Sequence, residues 1–218
     1  MIRRSVLALL AVVALQTQAA AQTELGGAAV AFRPVYRLRY AGSVREQSGT
    51  WFGGEVEGRA GIVSVRVLGL AGSLSGDEDS ANPPRTVRTT SVLLLLGPPL
   101  GFQAGLRADA RHIETPAATS LWRLAGPAAR VTQGLGIDGL EARIEAAVFP
   151  IRDVSSGYRL NSAFHVAVGV GWVPGRSGTV IRLGYDLARY DFSPEGSELS
   201  RLEQLGGLSL TLGLRTRL

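Results

Sequence analysis

From Val30 onward the apolar positions of the chain recur at every second residue, the period of a strand with one apolar face. Val30, Phe32, Tyr36, Leu38 and Tyr40 share one parity against Arg33, Arg37 and Arg39. Pro34 falls on the apolar parity, where its missing N–H predicts imperfect pairing in this first strand. Phe52, Gly54, Val56 and Gly58 then alternate with Glu55, Glu57 and Arg59, and Val63, Val65 and Val67 return against Ser64 and Arg66. The alternation is clearest where Phe102, Ala104, Leu106, Ala108 and Ala110 oppose Gln103, Arg107, Asp109 and Arg111. It recurs over residues 140–148, 164–172, 181–188 and 208–218, the last reaching the chain terminus.

Two segments are ambiguous. Leu93 to Leu96 are four leucines in a row, and residues 120–132 start well at Trp122 and Leu124 before Pro127 and Arg130 break the pattern. A bulge or a poorly ordered strand is predicted there. Ten strands result, with an eight-stranded count as the alternative. Tight turns are predicted at residues 60–61, 97–101, before 139 and at 174–178. Longer loops are predicted at 42–49, 72–85, 112–119, 150–159 and 190–204, with one helical turn in 198–205.

The first 21 residues behave differently. Arg3 and Arg4 precede an apolar run from Val6 to Leu15 and the small residues Ala19 and Ala21. The run is too short to span a bilayer as a helix, so residues 1–21 read as a signal peptide and residues 22–218 as the exported domain. No later segment is long and apolar enough for a membrane helix. A membrane-embedded domain would therefore have to be a closed barrel, in which every backbone polar group is paired.

Period two alone does not say which face is outside. Strands of about eleven residues, rising ~3.3 Å each at a tilt of ~40°, match the ~25 Å apolar band of an outer membrane. Four short and five long connections alternate, as periplasmic turns and extracellular loops do. The polar face carries Arg37, Glu55, Glu57, Arg66, Arg107, Asp109, Glu141, Arg143, Arg182 and Asp186, of mixed sign on neighbouring strands. With apolar residues outward, these are expected to interlock as ion pairs in a filled lumen. Phe32, Phe102 and Trp172 at one end, and Tyr40, Phe52, Trp122, Phe164 and Tyr185 at the other, read as interfacial girdles. The final strand is expected to close the barrel on residues 30–40, with Leu208, Leu210, Leu212 and Leu214 toward lipid and Ser209, Thr211 and Arg215 toward the lumen.

Over residues 30–218 the chain thus resembles the small bacterial outer-membrane β-barrel proteins. The resemblance implies an all-β, antiparallel up-and-down barrel in the cell outer membrane, contacting outer-membrane lipid and inserted by the barrel-assembly machinery. That machinery usually recognises a terminal aromatic residue, whereas this chain ends in Leu218.

Composition narrows the chemistry. There is no cysteine, hence no disulfide, and all 23 basic residues are arginine. Two of these lie in residues 1–21, leaving 21 arginines against 18 acids, a net charge of +3. The arginines are spread singly and form no basic patch with interleaved aromatics, which argues against nucleic acid. With two histidines and no metal-ligand spacing, no metal or other cofactor is expected, and Asp77, Glu78 and Asp79 read as a solvated loop.

His165 lies on the polar face, as a hydrogen-bonded interior residue. His112 and Glu114 fall at a loop rim, in line with lipid-facing Leu106 and Ala110. This placement is loosely similar to lipid A deacylases, although His112-Ile113-Glu114 lacks their His-x-Ser pairing; Ser120 is the nearby nucleophile candidate. The reading is a non-enzymatic barrel with a structural, surface-interaction or narrow-channel role and an unidentified surface partner. The alternative is a rim-active lipid hydrolase.

Overall fold

The computed structural model describes residues 23–76, 83–155, 158–174, 178–194 and 201–217; the signal-peptide reading and Asp77–Asp79 lie outside them. The chain forms eleven strands: β1 (Thr23–Tyr40), β2 (Ser43–Ala60), β3 (Val63–Ser75), β4 (Arg85–Leu96), β5 (Gly101–Glu114), β6 (Thr119–Gly134), β7 (Leu140–Val148), β8 (Ile151–Val154), β9 (Tyr158–Trp172), β10 (Gly178–Pro194) and β11 (Arg201–Arg217). All neighbours are antiparallel, and β1 pairs with both β2 and β11, so the sheet closes on itself. β7 and β8 both pair with β6 and are two halves of one stave broken at Phe149 and Pro150, which makes a ten-stave barrel.

The break explains how β6 stays straight. The β6 ladder to β7 ends at Ala128, and its ladder to β8 begins at Ala125. Pro127 sits in that gap, so its missing N–H costs that ladder nothing. A Cβ on Gly126 would come within 2.0 Å of the Val148 carbonyl oxygen, so only glycine lets the kinked stave approach. The expected bulge in β6 is therefore absent: β6 pairs with β5 without interruption from Gly101–Thr132 to Glu114–Thr119. Imperfect pairing does occur at Pro34, where the β1–β2 ladder skips Arg33 and Pro34.

Strand length departs from expectation. Of the residues assigned to loops, 43–49, 112–114, 119, 190–194 and 201–204 are strand, and β1 turns into β2 through residues 41 and 42 alone, both at positive φ. Arg201 to Leu205 are strand, not a helical turn. An 18-residue strand tilted ~40° rises roughly 45 Å, far more than the ~25 Å apolar band. The barrel accordingly has two zones along its axis.

In the zone nearer the termini, the outer wall is apolar. Leu25, Phe52, Val56, Val65, Leu94, Phe102, Leu106, Ile144, Val168, Leu183, Leu208 and Leu212 all point outward and are exposed, while Glu55, Arg107, Asp109, Arg130 and Glu145 point inward and are buried. Leu93 and Leu95 face in and Leu94 and Leu96 out, which settles the four-leucine run. In the crown above, polarity inverts. Tyr36, Leu38, Trp51, Leu74, Val87, Ile113, Trp122, Leu124, Tyr190 and Phe192 form a buried interior core, and Arg33, Arg37, Arg39, Glu46, Arg88, Arg123 and Arg189 face outward.

The inversion corrects the first strand. Val30, Phe32, Tyr36 and Leu38 face the interior, not lipid, and Arg37 is on the outer wall rather than in the lumen. Phe32 and Trp122 likewise leave the expected girdles for the interior. The closing register differs too: β11 pairs with the whole of β1, Leu208 opposite Arg33 and Arg217 opposite Glu24, so residues 212–217 meet residues 24–29.

Candidate functional site

Alternation on β2, β3, β5, β6, β7 and β10 delivers charged side chains to the lumen at one level. Their hub is Glu145 on β7, which is 1 % exposed. Its Oε1 accepts from Arg66 at 2.7 Å and Arg107 at 3.1 Å, and its Oε2 from Arg66 at 2.9 Å and Arg130 at 3.1 Å. Three arginines from three strands thus converge on one carboxylate, the arrangement in which a buried charge is tolerated.

Glu55 and Glu57 share the inner face of β2 and reach across the lumen. Arg182 donates to both, at 2.8 Å and 3.0 Å, and Arg130 donates to Glu57 at 3.1 Å. Arg66 lies 3.9 Å from Glu55. Glu141 and Arg143 make a looser pair at 3.5 Å. Nearer the termini, Arg215 finds Glu24 at 3.3 Å.

On the other side of the hub, Arg107 donates to Asp109 at 2.8 Å, to Ser91 at 3.3 Å and to His165 Nδ1 at 2.7 Å. A guanidinium only donates, so Nδ1 accepts and the imidazole proton sits on Nε2, which faces Asp186 at 3.2 Å. Ser209 donates to the second oxygen of Asp186 at 3.1 Å. His165 is thereby fixed as a neutral bridge between Arg107 and Asp186, with both ring nitrogens engaged.

Above this layer lies an aromatic floor. Trp122 packs edge-on against Tyr190 and Phe192, with ring centroids 5.1 Å and 5.2 Å apart. Arg111 donates to the Tyr190 hydroxyl at 2.8 Å and covers its ring at 4.8 Å. Three cavities stack along the axis. One of about 470 Å³ opens beside Glu24, Arg59 and Arg215; one of about 140 Å³ runs along the ion-pair layer, from Glu141 and Arg182 up to Arg111 and Tyr190; and one of about 300 Å³ occupies the mouth of the crown.

Of the residues singled out from sequence, Glu55, Glu57, Arg66, Arg107, Asp109, Glu141, Arg143, Arg182 and Asp186 all lie on the inner wall of this zone. Arg37 instead pairs with Glu46 at 2.7 Å on the outer wall, both side chains more than half exposed, a geometry that solvent screens and that adds little to stability. His112 and Glu114 meet at 2.9 Å on the outer wall. Ser120 pairs in register with inward-facing Ile113 and lines the mouth cavity, so the barrel wall separates it from His112. A nucleophile–base pair between them is not formed.

Sequence reasoning passes over Glu145 and Arg130. Glu145 shares the parity of Glu141 and Arg143, a signal that would have found it. Arg130 is obscured because Trp122 and Leu124 share its parity, and the three look inconsistent until the polarity inversion is known.

An apolar outer wall around a paired, charged interior has no stable place in water, and closure of the sheet leaves no unpaired edge within lipid. Fold and polarity together define a membrane-spanning β-barrel of the outer-membrane class. No protein-family model and no curated protein matches the chain. Among solved structures it is similar to Ail, the attachment invasion locus protein of Yersinia pestis, crystallised with the heparin analogue sucrose octasulfate: 13% identity over 88% of this chain and 98% of that one, TM-score 0.33. It is similar also to the outer membrane protein OprG of Pseudomonas aeruginosa (10% identity, 91% and 96% covered, TM-score 0.33) and to the P. putida toluene transporter TodX (6%, 92% and 91%, TM-score 0.29). The fold assignment rests on the closed ladder and the polarity, not on these scores.

Proposed function

We propose that this chain, exported by a signal peptide cleaved after Ala21 and inserted by the barrel-assembly machinery, is a sealed outer-membrane barrel whose crown presents a surface for interaction outside the cell. The observation that supports it is contact across the lumen: Arg66, Arg107 and Arg130 from three strands meet on Glu145, and above them Trp122 of β6 packs against Tyr190 and Phe192 of β10. With the termini in the periplasm, the crown stands above the outer leaflet. Among the described residues, its outward Arg33, Arg37, Arg39, Arg88, Arg123, Arg159 and Arg189 outnumber outward Glu46, Glu114, Asp153 and Asp191, which favours anionic partners, lipid headgroups among them.

Reconstituted in planar bilayers, the protein is expected to show no discrete conductance steps. Regular single-channel steps would replace the sealed reading with a narrow channel. The lipid-hydrolase reading has a separate test. Because the wall divides His112 from Ser120, His112→Ala and Ser120→Ala are each expected to leave the lipid A composition of the producing cell unchanged. A shift in acyl-chain number with either variant would restore it.

A further inference from the structure

The mouth cavity of about 300 Å³ lies in the crown, apart from the ion-pair layer. One side is apolar, made by Ile113, Trp122 and Phe192, all buried. The other carries Arg85, Arg201 and Glu203. These elements come from opposite walls of the crown, β4 to β6 and β10 to β11, so a ligand seated between them touches both.

The charges in the cavity do not cancel. Arg201 pairs with Glu203 at 2.5 Å and lies over the Phe192 ring at 5.8 Å, which neutralises that pair. Arg85 is held by a neutral group: it donates to the Tyr36 hydroxyl at 2.8 Å and covers the Tyr36 ring at 4.6 Å. Among the described residues no carboxylate forms an ion pair with Arg85. Among the described residues the lining therefore has one net positive charge, its guanidinium oriented by Tyr36, opposite an apolar side made by Ile113 and the edge-packed rings of Trp122 and Phe192. A dry cavity of about 150 Å³ accommodates a benzene ring; twice that volume suits two fused rings. Hydroxyls of Thr119 and Ser120 at the rim supply polar contacts.

We infer that the mouth of the crown binds a small organic monoanion with a flat apolar body, of the size of a two-ring aromatic carboxylate. Its anion pairs with Arg85 and its rings lie against Trp122 and Phe192. The site ends on the aromatic floor of Trp122, Tyr190 and Phe192. The inference stands whether or not the barrel conducts.

The test is isothermal titration of the refolded full-length barrel in detergent micelles with 2-naphthoate, 2-naphthamide and 2-naphthylmethylamine. These share the ring system and differ in charge. Saturable binding of one naphthoate per chain is expected, at least tenfold tighter than the amide, with no saturable binding of the cationic amine. Arg85→Gln is expected to remove the preference for naphthoate over the amide, and Ser120→Leu, which fills the cavity from its rim, to weaken both. Equal affinities for the three probes, no saturable binding, or binding unchanged in Arg85→Gln would each overturn the inference. The charge series on the unaltered protein decides the matter even if a variant fails to refold.

Discussion

Glu145→Gln is expected to destabilise the folded barrel by about 3–5 kcal/mol. The amide keeps the volume of the carboxylate but removes its charge, leaving Arg66, Arg107 and Arg130 facing a neutral group in a packed interior. Arg66, Arg107 and Arg130 keep Glu55, Asp109 and Glu57 as second partners, but Arg182 already shares Glu55 and Glu57, so the three guanidinium groups lose their common counter-ion. Urea titration in lipid vesicles, followed by tryptophan fluorescence, measures the loss. Stability within about 1 kcal/mol of the unaltered protein would mean that water reaches the layer and screens it. Arg37→Gln serves as the contrast: its pair with Glu46 is exposed and screened, so the urea midpoint is expected to stay close to that of the unaltered protein.

Val168→Arg comes next, with an expected cost of about 2–4 kcal/mol. Val168 lies on the outer wall of β9, 45% exposed, between Ile144 of β7 and Tyr185 of β10, all three outward-facing. Its neighbour Ala167 faces the lumen, paired across strands with Glu145 and Asp186. Ala167→Ser adds one hydroxyl to a polar interior and is expected to change stability by well under 1 kcal/mol. A one-residue step along β9 thus separates a severe substitution from a mild one. Equal tolerance of the two in the same refolding assay would contradict the orientation of the wall.

Both expectations depend on a facing that the alternation of β9, β5, β7 and β10 already carries. Phe164, Val166, Val168, Val170 and Trp172 against His165 and Ala167 is an unbroken apolar–polar pattern, and it belongs to strands whose alternating stretches lie within the apolar band. The same is true of Leu208 to Leu214. In these segments each parity keeps one chemical character, so period and facing can be read together. The lumen charges of β2, β3, β5, β7 and β10 follow from that reading.

β1 and β6 do not yield in the same way, and both for one reason. Their inward parity is polar or small near the termini and apolar in the crown: Glu24, Gly26 and Ala28 give way to Phe32, Tyr36 and Leu38 on β1, and Thr132 and Arg130 to Leu124 and Trp122 on β6. A rule that follows apolar residues outward fails once the strand leaves lipid. That rule places Arg37 in the lumen, Trp122 in a girdle, and the crown's polar strand ends in loops.

The sequence by itself determined the strand period and which residues of a cleanly alternating segment share a face, because both depend only on local alternation; it left ten staves with eight as the alternative. What the tertiary structure alone decided was the height of the barrel, the level at which its polarity inverts, the register of β11 on β1, and the convergence of Arg66, Arg107 and Arg130 on Glu145. These arise from contacts between residues far apart in the chain: Glu145 lies 79 positions from Arg66, and only closure of the sheet brings the two to 2.7 Å.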